Sequence, residues 1–205
     1  MTILSLTTSD GERLEAVHDK ADSADGIIVL CHPHPQQGGT MRAPILGVIA
    51  RCAVSEGFDV LRFNFRGAGG STGVHGDGHD ELRDVDAAMG YAAGLGSSVA
   101  GMVGWSFGAA VSLSWQAKTG SNVPYVGIAP PVSSPLTPPL PDAADLAQAR
   151  RAFVIGERDQ FIEADELAKY AESISAEIIT YPGTDHFFVS KHERLAQDVV
   201  KLIKG

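Results

Sequence analysis

Short apolar runs alternate along this chain with segments in which apolar residues recur every three or four positions. Runs such as Gly26–Cys31 and Val99–Gly104 contain almost no polar side chain, which is typical of strands buried on both faces of a sheet. The other predicted strands are Thr2–Thr7, Arg13–His18, Asp59–Phe65, Tyr125–Ala129, Ala152–Ile155 and Glu177–Tyr181.

The intervening segments have helical spacing. Apolar residues share one helical face in three sets, which are Leu82, Val85, Met89 and Ala92; Leu167, Tyr170, Ala171 and Ile174; and Leu195, Val199 and Leu202. Alternating strands and helices predict an α/β fold with about eight mostly parallel strands and helices on both faces. We expect one domain over residues 1–205, with the first one or two strands antiparallel at an edge of the sheet.

One segment interrupts this alternation. Residues Pro130–Pro141 include six prolines, which remove backbone donors and fix φ, so neither a regular helix nor a strand is expected there. We interpret the segment as an ordered loop over the C-terminal edge of the sheet. An interdomain linker is the alternative, although it would split a continuous α/β pattern.

Composition narrows the possible functions. The 205 residues carry a net charge of −9, which argues against an electrostatic nucleic-acid surface. No apolar run approaches the roughly 18 residues of a membrane span, and residues 1–10 do not resemble a signal peptide. Cys31 and Cys52 lie in apolar stretches without metal-type spacing and are expected to be free thiols. These features favour a cytoplasmic monomer or homodimer that acts on a small molecule.

The pentapeptide Gly104-Trp105-Ser106-Phe107-Gly108 has the pattern Gly-x-Ser-x-Gly. It follows the apolar strand Val99–Val103 and precedes a helix of small residues, Ala109–Lys118. This strand–turn–helix context is the setting of a nucleophile elbow, in which a tight turn lifts the serine hydroxyl above the sheet. Ser106 is therefore the candidate nucleophile, and glycines 104 and 108 permit the close approach of strand and helix.

A serine nucleophile needs a general base and a group that orients it. His186 follows the last predicted strand, and Asp159 follows the strand Ala152–Ile155, so both should lie at the same sheet edge as Ser106. The order Ser, Asp, His is that of α/β-hydrolases. Glu157 and Asp185 are the alternative acids, although Asp185 is adjacent to the histidine in sequence and poorly placed to meet its ring.

The tetrahedral intermediate of acyl transfer needs two N–H donors. Phe107 begins the helix after Ser106 and supplies one. In the loop after Gly26–Cys31, Pro33 and Pro35 flank His34 and have no N–H, so the His34 backbone is the predicted second donor. For the side chains of His32 and His34, packing and loop hydrogen bonds are favoured over direct catalysis.

Four motifs together resemble the small bacterial relatives of dienelactone hydrolase, which are lidless α/β-hydrolases described as hydrolases or esterases. They are His-Pro-His-Pro with Gly-Gly-Thr-Met from residue 32, Arg-Phe-Asn-Phe-Arg-Gly from residue 62, Gly-Trp-Ser-Phe-Gly from residue 104, and Asp-His-Phe-Phe from residue 185. The resemblance spans residues 26–204 and implies a serine hydrolase with the triad Ser106, Asp159 and His186. Dienelactone hydrolase itself has a cysteine nucleophile.

About twenty residues separate the strands Tyr125–Ala129 and Ala152–Ile155, where this superfamily inserts cap domains. We therefore expect no cap and an open site. The expected pocket residues, besides those of the proline-rich loop, are Gln36, Met41, Trp105 and Phe187.

Two other motifs were considered. Arg66–Gly73 is glycine-rich but lacks the spacing and the lysine of a phosphate loop, so a structural turn with Ser71 as turn or cap residue is favoured. His75–Asp80 has several metal-type donors but no distant ligand, and Asp80 with Glu81 more simply begins a helix. We therefore predict no metal and no cofactor.

These features predict hydrolysis of carboxylic esters or thioesters through an acyl-enzyme. The alternatives are peptide or amide hydrolysis, acyl transfer to an alcohol, and a non-catalytic binding module on the same fold.

Overall fold

The computed structural model describes residues 1–205, and its eight strands form one sheet in the order β1-β2-β4-β3-β5-β6-β7-β8. The strand β2 runs antiparallel to both of its neighbours, whereas all pairings from β4 to β8 are parallel. The strands are β1 Thr2–Thr7, β2 Arg13–Asp19, β3 Ile27–Cys31, β4 Asp59–Phe63, β5 Val99–Trp105, β6 Tyr125–Ile128, β7 Arg151–Gly156 and β8 Glu177–Tyr181. This confirms the predicted architecture, with strand boundaries shifted by at most two residues.

Five α-helices cover the two faces of the sheet. They are α1 Pro44–Ser55, α2 Glu81–Gly94, α3 Phe107–Thr119, α4 Ala164–Ser173 and α5 His192–Lys204. One buried apolar cluster packs α2, α3 and α4 on one face, and a second packs α1 and α5 on the other. Because helices cover both faces of the sheet, β3, β6 and β7 are buried at every position. No helix of the chain combines the length and apolarity needed to cross a bilayer.

The helix α1 was missed by the sequence prediction. It begins with Pro44 at its first position, after Ala43, whose side chain makes no capping hydrogen bond. The usual start signal, a Ser, Thr, Asp or Asn immediately before the helix, is therefore absent. Burial against α5 and the sheet stabilises this helix instead.

The connection between β6 and β7 spans residues 129–150 and includes the proline-rich segment Pro130–Pro141. Apart from a short 3-10 turn at Ala143–Asp145, it has no regular structure, and no cap domain is inserted there. Residues 131 and 133–137 line the cavity above the C-terminal ends of the strands. The segment is thus the loop over the sheet edge that the sequence predicted.

Candidate active site

Ser106 lies at the turn between β5 and α3 in a backbone conformation that L-residues rarely adopt. Its φ is 53° and its ψ is −119°. The Ser106 N–H donates to the carbonyl of Ile128 at 2.8 Å, which fixes the turn to the end of β6. Such a conformation costs about 1–3 kcal/mol and persists only where the surrounding structure enforces it. The sharp turn leaves the half-buried serine in the lining of the cavity.

Packing explains the two glycines of the pentapeptide. A Cβ at Gly104 would lie 2.4 Å from the Cα of Ala109, and one at Gly108 would lie 2.4 Å from the carbonyl oxygen of His32. Both neighbours are backbone atoms that cannot move aside. Any larger residue at these positions would separate α3 from the sheet.

Asp159 and His186 meet at this edge of the sheet. The Nδ1 atom of His186 lies 2.7 Å from Oδ2 of Asp159, whose side chain is fully buried. The other carboxylate oxygen, Oδ1, accepts the N–H groups of Phe161 and Ile162 at 2.9 and 3.0 Å. These three contacts orient the carboxylate and leave Nε2 as the ring nitrogen of His186 that is free to act on a substrate.

The alternative acids are engaged elsewhere. Glu157 is exposed and accepts the N–H of Gly183 at 2.6 Å. Asp185 accepts the N–H groups of Phe187 and Val189 and so caps its own turn. Of the three candidate acids, Asp159 alone contacts the ring of His186.

The two residues expected to supply the oxyanion donors are in contact through their side chains. Phe107 is the first residue of α3, where a backbone N–H has no acceptor within the helix. His34 precedes a 3-10 turn at Pro35–Gln37, and its ring packs on that of Phe107 with centroids 4.9 Å apart. Both residues line the cavity that contains Ser106 and His186.

His32 has a structural role. Its Nδ1 donates to the carbonyl of Pro33 at 2.6 Å, and its Nε2 accepts the N–H of Phe65 at 2.9 Å. Burial lowers the pKa of His32 to about 4, so the ring is neutral near pH 7. It joins the loop after β3 to the end of β4 and does not line the cavity.

The segment that follows β4 folds onto the start of α2. Nδ1 of His75 lies 2.8 Å from Oε1 of the buried Glu81, and Glu81 also accepts the N–H groups of Gly76 and Gly78. No cluster of His, Cys, Asp or Glu with metal-binding geometry is present. Within the segment that the sequence offered as a metal site, His75 thus contacts Glu81, and Glu81 holds the backbone of the loop.

The Arg66–Gly73 turn is likewise held by internal hydrogen bonds. The Ser71 hydroxyl donates to the carbonyl of Asn64 at 2.7 Å and accepts the N–H of Glu15 at 3.0 Å. Asn64 in turn accepts the N–H of Met41 at 2.8 Å. The turn connects β2, β4 and the loop after β3, as a structural element would.

The cavity at this edge has a volume of about 490 Å³, within the range of small-molecule sites. The expected residues Trp105 and Phe187 line it, but Gln36 and Met41 do not. Gln36 points to solvent from the 3-10 turn, and Gln37 lines the cavity instead. Met41 is wrong as a pocket residue because it is fully buried in the core.

Aromatic side chains form the rim of the cavity beside His186. Phe161 is 65% exposed and Phe187 is 45% exposed, and their ring centroids lie 5.0 and 5.6 Å from that of His186. Phe161 was not among the pocket residues predicted from the sequence. The only signal was its position two residues after Asp159, which the turn at the end of β7 converts into proximity to His186.

Comparisons with known proteins agree with this architecture. The sequence model of the dienelactone hydrolase family matches residues 74–201. An uncharacterized protein of Rickettsia prowazekii is 29% identical over 206 residues, covering 91% of this chain and 82% of that protein.

Solved structures give the same result. An α/β serine hydrolase without a lid from Xanthomonas campestris is 25% identical with a TM-score of 0.86, covering 99% of this chain and 93% of that one. An α/β serine hydrolase homologue from Coxiella burnetii has a TM-score of 0.85 at 24% identity, covering 98% of this chain and 96% of that one. The chain therefore has the lidless α/β-hydrolase fold, belongs to the dienelactone hydrolase family and is a hydrolase.

Proposed function

We propose that this hydrolase cleaves carboxylic esters or thioesters through a covalent acyl-enzyme on Ser106. The observation that carries the proposal is the buried Asp159–His186 pair, 2.7 Å apart, whose histidine lines the same cavity as the strained Ser106 turn. A nucleophile, a base and a group orienting the base are the minimum that serine-dependent acyl transfer requires.

In the first step, Oγ of Ser106 attacks the carbonyl carbon while Nε2 of His186 accepts the hydroxyl proton. Asp159 holds the proton of Nδ1 and stabilises the imidazolium that forms. The carbonyl oxygen becomes an oxyanion, and the N–H groups of Phe107 and His34 would donate to it. His186 then gives its proton to the leaving alcohol or thiol.

In the second step, His186 removes a proton from water, and the resulting nucleophile attacks the acyl-Ser106 ester. The same two N–H groups stabilise the second oxyanion, and collapse of this intermediate releases the acid and returns the proton to Ser106. Esters and thioesters are favoured over amides because their leaving groups need less help from protonation.

The test combines turnover and labelling. Chromogenic p-nitrophenyl esters should be hydrolysed much faster than aminoacyl p-nitroanilides, and a fluorophosphonate probe should label Ser106. Ser106→Ala should lose both activities and keep the far-UV circular dichroism of the wild type. Faster anilide turnover would favour a peptidase, and labelling that persists in Ser106→Ala would mean that Ser106 is not the nucleophile.

A further inference from the structure

Buried polar atoms without a protein partner concentrate at the candidate active site. Five side-chain atoms make no hydrogen bond within the protein. They are His34 Nε2, Trp105 Nε1, Thr137 Oγ1, Arg151 Nη2 and His75 Nδ1, the last of which lies 2.8 Å from Oε1 of Glu81 without hydrogen-bond geometry. Three of them, on His34, Trp105 and Thr137, belong to residues that line the cavity. Buried polar groups in native proteins are nearly always hydrogen-bonded because an unpaired one costs about 1–3 kcal/mol. Their concentration here indicates groups that a ligand pairs.

The hydrogen bonds of His34 determine which ring nitrogen carries its proton. Nδ1 accepts the N–H of Gln36 at 3.3 Å, so the neutral ring must be protonated at Nε2. Burial and the neighbouring His75 lower the pKa of His34, whereas Glu81, the Leu136 carbonyl and Asp77 act in the opposite direction. The ring is therefore neutral near pH 7, and its Nε2–H is a buried donor.

Thr137 lies in the proline-rich loop, next to Leu136, whose backbone carbonyl is near the ring of His34 but does not meet hydrogen-bond geometry at Nε2. Its hydroxyl can donate or accept and has no partner in the protein. The ring of His34 and the hydroxyl of Thr137 thus form one polar part of the cavity lining, and Nε1 of Trp105 lies on the side of His186.

The two sides of the cavity flank Ser106. Phe107, which follows Ser106, contacts the ring of His34, whereas Trp105, which precedes it, contacts His186 and Phe187. In ester cleavage the leaving oxygen must approach His186 to receive its proton. The alcohol part of the substrate therefore lies toward the aromatic rim, and the acyl part extends toward His34 and Thr137.

Charge further restricts the acyl group. The cavity lining contains no Lys, Arg, Asp or Glu side chain, and the chain carries a net charge of −9. A carboxylate in this cavity would have no counter-ion, and its desolvation would be unfavourable. A neutral oxygen, such as that of a ketone, ether or hydroxyl group, pairs with the Nε2–H and the hydroxyl without that cost.

We propose that His34 and Thr137 form an acyl-chain subsite that selects neutral acyl groups carrying an oxygen atom beyond the scissile carbonyl. The inference rests on the esterase activity proposed above and specifies its substrate class. Plain alkyl chains leave both polar groups unpaired, and acyl chains ending in a carboxylate introduce an uncompensated charge.

The test uses three p-nitrophenyl esters with acyl chains of similar length, which are the pentanoate, the 4-oxopentanoate and the hemisuccinate. The rate without enzyme is first subtracted for each ester, because the carboxylate of the hemisuccinate attacks its own ester and releases p-nitrophenolate. Each kcat/KM is then divided by the rate constant for hydroxide-catalysed hydrolysis of the same ester, which corrects for intrinsic reactivity toward an external nucleophile. One or two neutral hydrogen bonds predict a preference of about 5- to 10-fold for the 4-oxopentanoate over the pentanoate. The hemisuccinate should be the poorest of the three.

Variants at Thr137 separate hydrogen bonding from shape. Thr137→Val keeps the volume but removes the hydroxyl, and it should reduce the ratio between 4-oxopentanoate and pentanoate at least threefold. Thr137→Ser keeps the hydroxyl and should retain the preference. Thr7→Val makes the same chemical change at an exposed position of β1, outside the cavity, and should leave the ratio unchanged. Thermal melts followed by circular dichroism establish that each variant is folded.

Several results would overturn the proposal. They are equal normalised rates for pentanoate and 4-oxopentanoate, a preference for the hemisuccinate, and an undiminished ratio in Thr137→Val. If Thr137→Val does not fold, a preference lost in Thr137→Ser would have the same meaning. Failure to hydrolyse any of the three esters would refute the esterase activity as well, whereas hydrolysis without preference refutes only the subsite.

Discussion

Replacing Asp159 with asparagine should remove activity without removing the fold. Oδ1 of Asp159 accepts two backbone N–H groups, from Phe161 and Ile162, and Oδ2 faces Nδ1 of His186. In Asp159→Asn the amide oxygen must stay on the two backbone donors, since the reverse orientation would set N–H against N–H. The amide nitrogen then faces His186 and donates to Nδ1. The ring becomes protonated at Nε2 and can no longer accept the Ser106 proton.

The size of the fall in kcat follows from the loss of the catalytically competent tautomer of His186. We expect kcat to fall by about 10³- to 10⁴-fold, which corresponds to roughly 4–5.5 kcal/mol of transition-state stabilisation. KM should change little because Asp159 does not line the cavity. All three contacts of the carboxylate have a counterpart in asparagine, so the free energy of unfolding should fall by no more than about 1–2 kcal/mol.

The assay is steady-state hydrolysis of a p-nitrophenyl ester, with urea unfolding as the measure of stability. Glu157→Gln is the matched control because Glu157 is the other strand-end carboxylate, is exposed, and contacts Gly183 rather than His186. It should keep kcat within about twofold of the wild type, the range expected for a surface change away from the site. If Asp159→Asn kept kcat within tenfold of the wild type, or if Glu157→Gln lost more, the assignment of the acid would be refuted.

Three further predictions concern stability. Ser106→Gly should have a free energy of unfolding about 1 kcal/mol higher than Ser106→Ala, because φ is 53° at this position; equal urea midpoints would contradict the strain. Gly108→Ala should lose about 2 kcal/mol or more through its 2.4 Å clash with backbone, whereas Gly90→Ala, in open space on α2, should gain about 0.5–1 kcal/mol; urea unfolding of both variants checks the opposite signs. A hydrogen bond from Arg42 lowers the pKa of Glu15 from 4.5 to about 2, so its stabilisation is complete above pH 4.5 and is lost as the pH falls toward 2. Glu15→Gln should therefore lose less stability than the wild type between pH 6 and pH 3, and an equal loss in urea unfolding would contradict this sign.

Local sequence signals predicted the features that depend on short-range sterics. The apolar runs located the central strands β3, β6 and β7 within two residues, since a strand covered on both faces has no place for polar side chains. The glycines around Ser106 predicted the elbow, because only glycine allows the approach of α3 to His32 and of Ala109 to the strand. The helix α1 was not predicted because burial, rather than a capping side chain, stabilises it.

The lining of the cavity could not be predicted in the same way. Gln36 and Gln37 are equivalent in sequence, and a single 3-10 turn decides which of them faces the cavity. Met41 follows two glycines in an apparent loop, yet its backbone bonds to Asn64 and its side chain enters the core. These orientations depend on contacts between segments that are distant along the chain.

The sequence by itself determined the order of the strands along the chain, the elbow at Ser106 and the identity of the groups that follow each strand, because these depend on periodicity and on local steric limits. Only the tertiary structure decided which of those groups meet. Tertiary packing brought Asp159 rather than Glu157 to His186. It also placed the ring of His34 against those of Phe107 and His75. Nε2 of His34 and the hydroxyl of Thr137 were left without hydrogen-bond partners in the protein at the cavity. These side-chain contacts depend on how loops from separate strands pack at one edge of the sheet, and no local pattern in the sequence specifies that packing.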